Sequence, residues 1–478
     1  MRTATMRIGA FLALATIAGC AGGSRGGGGG NVNDNSSCDP AESACEDGLV
    51  CETVRDGEPR CVAPVTIRGH VVDIIDDTPI AGALVQAVDV NGAAVGTSAE
   101  TDDEGAFTLS VPAVRDAEDV PVEGAFTLRV QAAAYQEFPT AIRPALPLDV
   151  STATIGDDGW LIENPLTTVK LIALPGDSTL LGSISGSVLA ERNAGVLVVA
   201  EGSTTALTGY SDGEGAYTIF NVPAGTYTLH AYAAGLQVNS VTASLEVGEA
   251  VEGVDLAEAD RPLSTIQGNV QIVNAPGGSR TSIVLALEST FLEAAGRGAV
   301  PPGLRVGEIG GAFTIDEVPD GRYVVLAAFE NDGLVRDPDQ TIGGTEIVRI
   351  EVPDPDTGNL VTLPEGFKVT GALNVVAPGP DGPEEIATPT PLLQWADDSS
   401  EDGYEIRVFD AFGNQVWENE IGPTTGSATV TQLYAGPALE PGMFYQFRVV
   451  SFRERDADRT AISATEDLKG VFYFLGSP

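Results

Sequence analysis

Apolar and polar residues alternate with a period of two in three stretches that read almost alike. They are DDEGAFTLSVP (102–112), DGEGAYTIFNVP (212–223) and IGGAFTIDEVP (309–319). In a strand, residues two apart share a face. The alternation therefore predicts that Phe107 with Leu109, Tyr217 with Ile219, and Phe313 with Ile315 point into equivalent cores. Gly105, Gly215 and Gly311 precede these strands and permit a tight turn. Pro112, Pro223 and Pro319 end them, because proline cannot donate to a central ladder.

Each stretch sits inside a longer unit. The units open with I-x-G-x-V at Ile67, Ile184 and Ile266, and an apolar strand follows near Leu84, Leu197 and Val284. After Val-Pro, a further alternating strand starts at a turn glycine, near Phe126, Tyr227 and Tyr323. No long segment repeats every 3.6 residues, and glycine (57) and proline (30) are plentiful. At 478 residues the chain is too long for one core. Length and pattern together predict an all-β protein of several small units. A phrase that returns at domain spacing belongs to a repeated fold, whereas a catalytic motif usually occurs once.

In combination, I-x-G-x-V, D-x-x-G-x-(F/Y) and V-P-x-G-x-Y resemble the carboxypeptidase regulatory-like family. The resemblance implies small Ig-like, prealbumin-like β-sandwiches in tandem over 65–175, 180–260 and 263–362. The first copy inserts AVRDAED after Pro112. The third lacks the acid before Gly311 and carries a long insertion at 288–303. The family implies folding, spacing or binding roles and brings no catalytic residues. The same fold group includes starch-binding modules, which keeps carbohydrate in view.

The pattern changes over 366–478. Pro391, Leu393 and Trp395, then Tyr404, Ile406 and Val408, then Leu439, Pro441, Gly442, Tyr445, Phe447 and Val449 form phrases that resemble fibronectin type III domains. That resemblance implies a further sandwich with Trp395 and Tyr445 in its core.

The amino terminus is an address. Residues 1–19 carry Arg2 and Arg7 and an apolar run at 8–18 that is too short to span a bilayer comfortably, so they read as a secretion signal. Ile17-Ala18-Gly19-Cys20 resembles the lipobox of bacterial lipoproteins. The resemblance implies cleavage before Cys20, lipidation of its thiol and anchoring in a membrane by acyl chains. Ala21 stands where an aspartate would retain a lipoprotein at the inner membrane, which leans toward the outer membrane. Residues 20–37 form a Gly-rich tether, and the 17 residues after Cys20 reach roughly 20–25 Å as a coil. Cys38, Cys45, Cys51 and Cys61 fall in a short module at 38–62. An even number of cysteines in an oxidising compartment reads as disulfides, with three pairings open. Zinc is opposed by the distance of both histidines in sequence and by the lack of paired C-x₂-C.

Charge and motifs exclude more than they assign. With 68 acids against 25 bases and a net charge of −43, the chain is a poor partner for nucleic acid. The same charge keeps a secreted protein dispersed. Carboxylates cluster at 101–105, 354–358 and 397–403, and calcium takes such oxygen ligands. None of the clusters has EF-hand spacing, and Asp and Gly are ordinary turn formers, so no cofactor is required and calcium is left open. His70 and His230 lie in different repeats and both read as surface residues. H-E-x-x-H and the P-loop are absent. GYSDG (209–213) matches G-x-S-x-G, yet Ser211 precedes a strand and not a strand–turn–helix elbow. Trp160 is the one loop-like tryptophan and the candidate platform for a sugar ring.

These readings converge on a non-catalytic, lipid-anchored rod of β-sandwiches in a bacterial envelope, surface-exposed or facing the periplasm. It would act as a scaffold or adhesin, with the membrane as one partner and polysaccharide or envelope proteins as others. The alternative is a carbohydrate-binding accessory protein of the envelope.

Overall fold

The computed structural model describes the chain from residue 37 to 475, apart from 39–44, 46–47, 90–91, 97, 141–142, 157–158, 204–205, 274–280, 293–296, 329–333, 337–347, 364–366, 399–400, 425, 427, 456–457 and 467. Cys20 and the segment that carries the lipobox lie outside the described residues. Among the described residues every regular element is a strand or a short 3₁₀ turn. None is a helix long and apolar enough to cross a membrane. The protein is a series of small β-sandwiches behind a disulfide-bonded module.

The three repeats share one topology. In each, the strand that carries I-x-G-x-V is central to a mixed sheet: Val65–Asp73, Gly182–Leu189 and Ser264–Val273. It pairs antiparallel with the strand of the quoted phrase, and the register repeats, with Gly69 opposite Phe107, Gly186 opposite Tyr217, and Gly268 opposite Phe313. It pairs parallel with strands from the end of the repeat, such as Thr168–Leu171, Leu256–Ala257 and Leu360–Thr362. The second sheet is built on Leu84–Val88, Leu197–Glu201 and Thr281–Leu287, each antiparallel to the later alternating strand. Phe107, Leu109, Tyr217, Ile219, Phe313 and Ile315 are all buried, as the period-two reading expects.

The repeated glycine opposite the aromatic has a steric cause. A Cβ on Gly69 would stand 1.9 Å from the Thr167 carbonyl oxygen, and one on Gly186 would stand 2.1 Å from that of Val254. The segment that joins the two parallel strands crosses so near that no side chain fits. The turn glycines are less uniform. Gly105 and Gly215 adopt left-handed φ, and the preceding Asp102 and Asp212 cap the turn, each Oδ1 accepting two backbone amides. Gly311 is not left-handed, because the third repeat has no aspartate there to hold that turn.

Repeats two and three differ from the first by one residue. One more position separates Tyr217 from Pro223, and Phe313 from Pro319, than separates Phe107 from Pro112. The extra residue makes a bulge. The register shifts between Gly182 and Ile184, and again between Ser264 and Ile266, while the first repeat pairs without a break. Asn221 and Glu317 take the left-handed backbone that a bulge requires, at φ 58° and 57°.

The carboxyl-terminal sandwich has one sheet of Val375–Ala377, Leu392–Ala396 and Thr429–Leu433, and a larger one around Phe444–Arg455. Trp395 and Tyr445 are buried in its core, and Trp395 meets Tyr404 edge-on at 5.5 Å. The strand Phe367–Gly371 pairs parallel with Ser264–Val273. It therefore completes the third repeat, although the sequence pattern assigns its residues to the following unit.

The rod expected from sequence is not what the chain forms. The first repeat touches all three other sandwiches. Tyr210 donates its hydroxyl to the Gly92 carbonyl at 3.0 Å. Ala93 is buried among Val284, Ala286 and Val324 of the third repeat, and Arg305 Nη1 lies 2.7 Å from Asp89 Oδ2. Phe409 and Ala411 of the carboxyl-terminal sandwich join the core cluster of the first repeat. Local alternation reports which face of a strand is buried but not which partner covers it, so these contacts left no periodic signal.

Candidate functional sites and the junctions between sandwiches

The four cysteines pair first with third and second with fourth: Cys38–Cys51 and Cys45–Cys61. Cys38, Cys45 and Cys61 are also the one group of metal-type ligands gathered closely among the described residues, and their sulfurs are committed to these bonds. The module docks on the AVRDAED insertion of the first repeat. Arg115 and Glu52 form a buried ion pair there. Arg115 Nη2 also donates to the Ala63 carbonyl at 2.8 Å, and the Ala113 amide donates to Glu52 Oε1 at 3.0 Å. Burial pushes the Glu52 carboxyl up, and Arg115 opposes that push. The insertion is thus the socket of the cysteine module, which explains why only the first repeat has it.

Ser211 is fully buried. Its hydroxyl accepts from the Val196 amide at 2.9 Å and donates to the Asn193 carbonyl. Both capacities of the hydroxyl serve the turn, so it is neither exposed to a substrate nor set beside a base. Thr101 occupies the same place in the first repeat, accepting from the Ala83 amide and donating to the Ile80 carbonyl. GYSDG is therefore a turn motif of the repeat. His70 is exposed, as expected. His230 is half-buried and turns toward the third repeat, with Nε2 4.0 Å from Glu201 Oε2.

The acidic clusters are also occupied. Asp354 Oδ1 accepts from the Asp356 and Thr357 amides, which holds its carboxyl below the usual range. Asp397 accepts from the Tyr404 hydroxyl, Asp398 from that of Ser451, and Asp402 from the Glu454 amide. These carboxylates close turns and tie loops to strands. Trp160 is a strand residue of Gly159–Ile162, half-buried against the first core and opposite Ile155. Among the described residues, the large apolar side chains that stand exposed are all aliphatic.

The most organised polar chemistry lies where one repeat meets the next. Asn221, the bulge residue, accepts from the Ala134 amide at 2.8 Å and donates to the Ala132 and Tyr135 carbonyls, each at 2.9 Å. Glu317, the bulge of the third repeat, accepts through its backbone carbonyl from the Gly235 amide at 2.9 Å. Ala134 and Gly235 are themselves left-handed, at φ 69° and 78°. Each junction thus joins a left-handed turn of one repeat to a left-handed bulge of its successor. Arg129 reinforces the first junction, lying over the Tyr210 ring at 5.0 Å. Asp320 reinforces the second, accepting from Gln237 Nε2 at 2.8 Å and lying 3.1 Å from Arg261 Nε.

Two concavities accompany these contacts. One, of about 350 Å³, opens between the second and third repeats beside His230, Tyr232, Gln237, Arg261 and Asp320. The other, of about 550 Å³, lies on the third repeat and is lined by Gln267, Asn269, Thr314 and apolar neighbours, with no ionisable group among the described residues.

Comparison with known proteins adds one family match. Residues 191–252, inside the second repeat, match a fibronectin type III-like family described as Polysaccharide lyase family 4, domain II. The match covers well under half of the chain and falls on the second repeat, not on 366–478. No curated protein matches the chain in sequence. Among solved structures, the Bacillus anthracis TIE protein is 10% identical over 85% of this chain and 72% of its own, with a TM-score of 0.15. A DUF3823 family protein from Bacteroides ovatus is 12% identical over 45% of this chain and 100% of its own, at 0.21. A Streptococcal ancillary pilin is 12% identical over 64% of this chain and 98% of its own, at 0.15.

Sequence reasoning missed the junction residues. Their signal was present, as the one-residue difference in spacing between aromatic and proline, but it registers only when the three phrases are aligned position by position.

Proposed function

We propose that the chain is a non-catalytic, lipid-anchored envelope protein, attached through Cys20 and built as a scaffold or adhesin from three carboxypeptidase regulatory-like repeats and a carboxyl-terminal fibronectin type III-like sandwich. The observation that carries this reading is the use of its chemical groups. Ser211, the clustered aspartates and the four cysteines each serve turns, loop ties or cross-links. The strongest polar constellations join sandwich to sandwich, which is where a scaffold needs them. The lipobox and the tether supply the anchor, and the outer membrane is the favoured location.

The test is protease treatment of intact cells that carry an epitope near residue 478. Loss of the epitope while a periplasmic control survives is the expected result for a surface scaffold. An epitope cut only after the outer membrane is opened would remove the adhesin reading and leave a periplasmic scaffold. A chain released from membranes unlipidated would overturn the anchor.

A second reading, carbohydrate binding, is favoured by the match of residues 191–252 to a domain named for a polysaccharide lyase family. It is opposed by the lack of an exposed aromatic side chain among the described residues. Co-sedimentation of the protein with insoluble neutral polysaccharides separates the two readings.

A further inference from the structure

The cavity between the second and third repeats has the size of a small-molecule site, at about 350 Å³. Tyr232 and His230 lie two apart on the strand Gly225–Tyr232, so both face the same way. Their rings stand 6.0 Å apart with planes only 25° from parallel. The two rings are stacked on each other, with Tyr232 buried and His230 half-buried beside the cavity. Tyr323 meets Tyr232 edge-on at 6.2 Å and fixes that ring.

Tyr232 is 5% exposed, yet its hydroxyl makes no hydrogen bond to protein among the described residues. The other buried tyrosines of these repeats are satisfied. Tyr217 donates to the Val254 carbonyl, Tyr227 to that of Pro223, Tyr323 to that of Pro319, and Tyr210 to that of Gly92. A buried phenol needs a polar partner, and Tyr232 has only the cavity to take one from.

The rim narrows the chemistry. Arg261 lies against Asp320, and His230 faces Glu201, so each basic group already has an acid. Among the described residues of the rim no cation is left over to hold an anion, in a chain whose net charge is −43. What the rim does offer is planar amide, guanidinium and carboxylate groups, with the exposed Ser240 hydroxyl beside them. Such groups both donate and accept, which suits a ligand with many hydroxyls, and the half-buried His230 ring suits an apolar ligand face.

We propose that this cavity binds a neutral sugar unit, its hydroxyls on Tyr232, Gln237, Arg261 and Asp320 and its ring against His230. The inference rests on the carbohydrate reading above and gives that reading a place.

The test is saturation-transfer NMR on the full chain in a sugar-free detergent, with maltose, cellobiose and the anionic digalacturonate as probes. The expected result is transfer to a neutral disaccharide and none to digalacturonate. Tyr232→Phe keeps the ring and the packing but removes the hydroxyl, and it is expected to weaken binding by about fivefold or more. His230→Ala, at a half-exposed position, is expected to do the same. Thermal melting of each variant checks that the junction stays folded. Binding that both variants leave unchanged, or a preference for digalacturonate, overturns this site. Absent transfer together with retained sedimentation on insoluble polysaccharide also overturns the site and leaves the carbohydrate reading standing. Absence of both overturns the two together.

Discussion

The amide of Ala134 donates to the carboxamide oxygen of Asn221 at 2.8 Å, across the boundary between the first and second repeats. Both residues hold a left-handed backbone, at φ 69° and 58°. Neither conformation is favoured alone, since a left-handed residue with a Cβ costs about 1–2 kcal/mol. They persist because each presents the groups that the other needs. The same geometry returns at Gly235 and Glu317, with a backbone carbonyl as the acceptor. One inserted residue per repeat therefore turns a separate sandwich into a link of a chain.

The first prediction concerns Asn221. Asn221→Gly loses three hydrogen bonds at about 1 kcal/mol net each, and regains about 1 kcal/mol from the relaxed backbone. A net loss of about 2 kcal/mol is expected in urea unfolding, as a lower midpoint at unchanged slope. Asn221→Asp keeps the acceptor for Ala134 but sets a carboxylate oxygen against the Ala132 and Tyr135 carbonyls. It is therefore expected to cost more than glycine. An aspartate variant as stable as the wild type would show that the two donor bonds contribute nothing.

The second prediction separates three glycines that look identical in sequence. A Cβ at Gly69 or Gly186 meets backbone oxygen at 1.9 Å or 2.1 Å, and strands cannot part locally to admit it. The atoms nearest a Cβ at Gly268 are in side chains, Leu363 Cδ1 and Phe313 Cζ, both at 2.7 Å. Gly186→Ala is expected to cost more than about 3 kcal/mol, and Gly268→Ala about 1–3 kcal/mol, the range of ordinary overpacking. Thermal denaturation of the two variants decides it, and equal shifts would remove the backbone argument.

Much of this fold was legible in the sequence because it is local. Period-two alternation located the buried aromatics at 107, 217 and 313, and turn glycines and prolines bounded their strands. Trp395 and Tyr445 were placed in the carboxyl-terminal core by the resemblance to fibronectin type III domains, and both are buried there. What stayed hidden depends on distant partners. The parallel pairing of Thr168–Leu171 with Val65–Asp73 has no turn residue to announce it. The burial of Ala93 depends on a repeat two hundred residues away. Ser211 shows the converse: the strand that follows it already argued against a nucleophile elbow, and the turn around it shows what the hydroxyl does instead.

The third prediction concerns the socket of the cysteine module. Arg115→Ala leaves Glu52 buried without its cation, and a loss of about 3–5 kcal/mol is expected. The double variant Arg115→Met with Glu52→Leu removes both charges and restores apolar volume, and it is expected to lose much less. Arg115→Met and Glu52→Leu as single variants complete a double-mutant cycle with the pair, read by denaturant unfolding. Additive losses would mean that the two residues act independently, against the geometry of their pairing. The disulfides stay intact in every variant, so a change reports the docking surface and not the cross-links.

The fourth prediction concerns the contact that brings the carboxyl-terminal sandwich back onto the first repeat. Arg143 lies buried there, donating through Nη2 to the Lys170 and Phe412 carbonyls at 2.9 and 2.8 Å. Its Nε and Nη1 have no hydrogen-bond partner among the described residues, and burial lowers its pKa. Beside it Gly413 is left-handed, and a Cβ there would stand 2.6 Å from the Pro144 carbonyl oxygen. A half-satisfied buried cation contributes little net stability, so steric fit at Gly413 should matter more than the guanidinium. Gly413→Val is expected to part the two sandwiches, raising the radius of gyration in X-ray scattering and exposing the connection at 372–374, between the third repeat and the carboxyl-terminal sandwich, to protease. Arg143→Met is expected to leave both readouts unchanged and to alter stability by less than about 1 kcal/mol. If Arg143→Met opens the chain as widely as Gly413→Val, the closure is held by the cation and its two carbonyl acceptors. It would then weaken wherever those carbonyls gain water, and the sandwiches would part at their most polar contact.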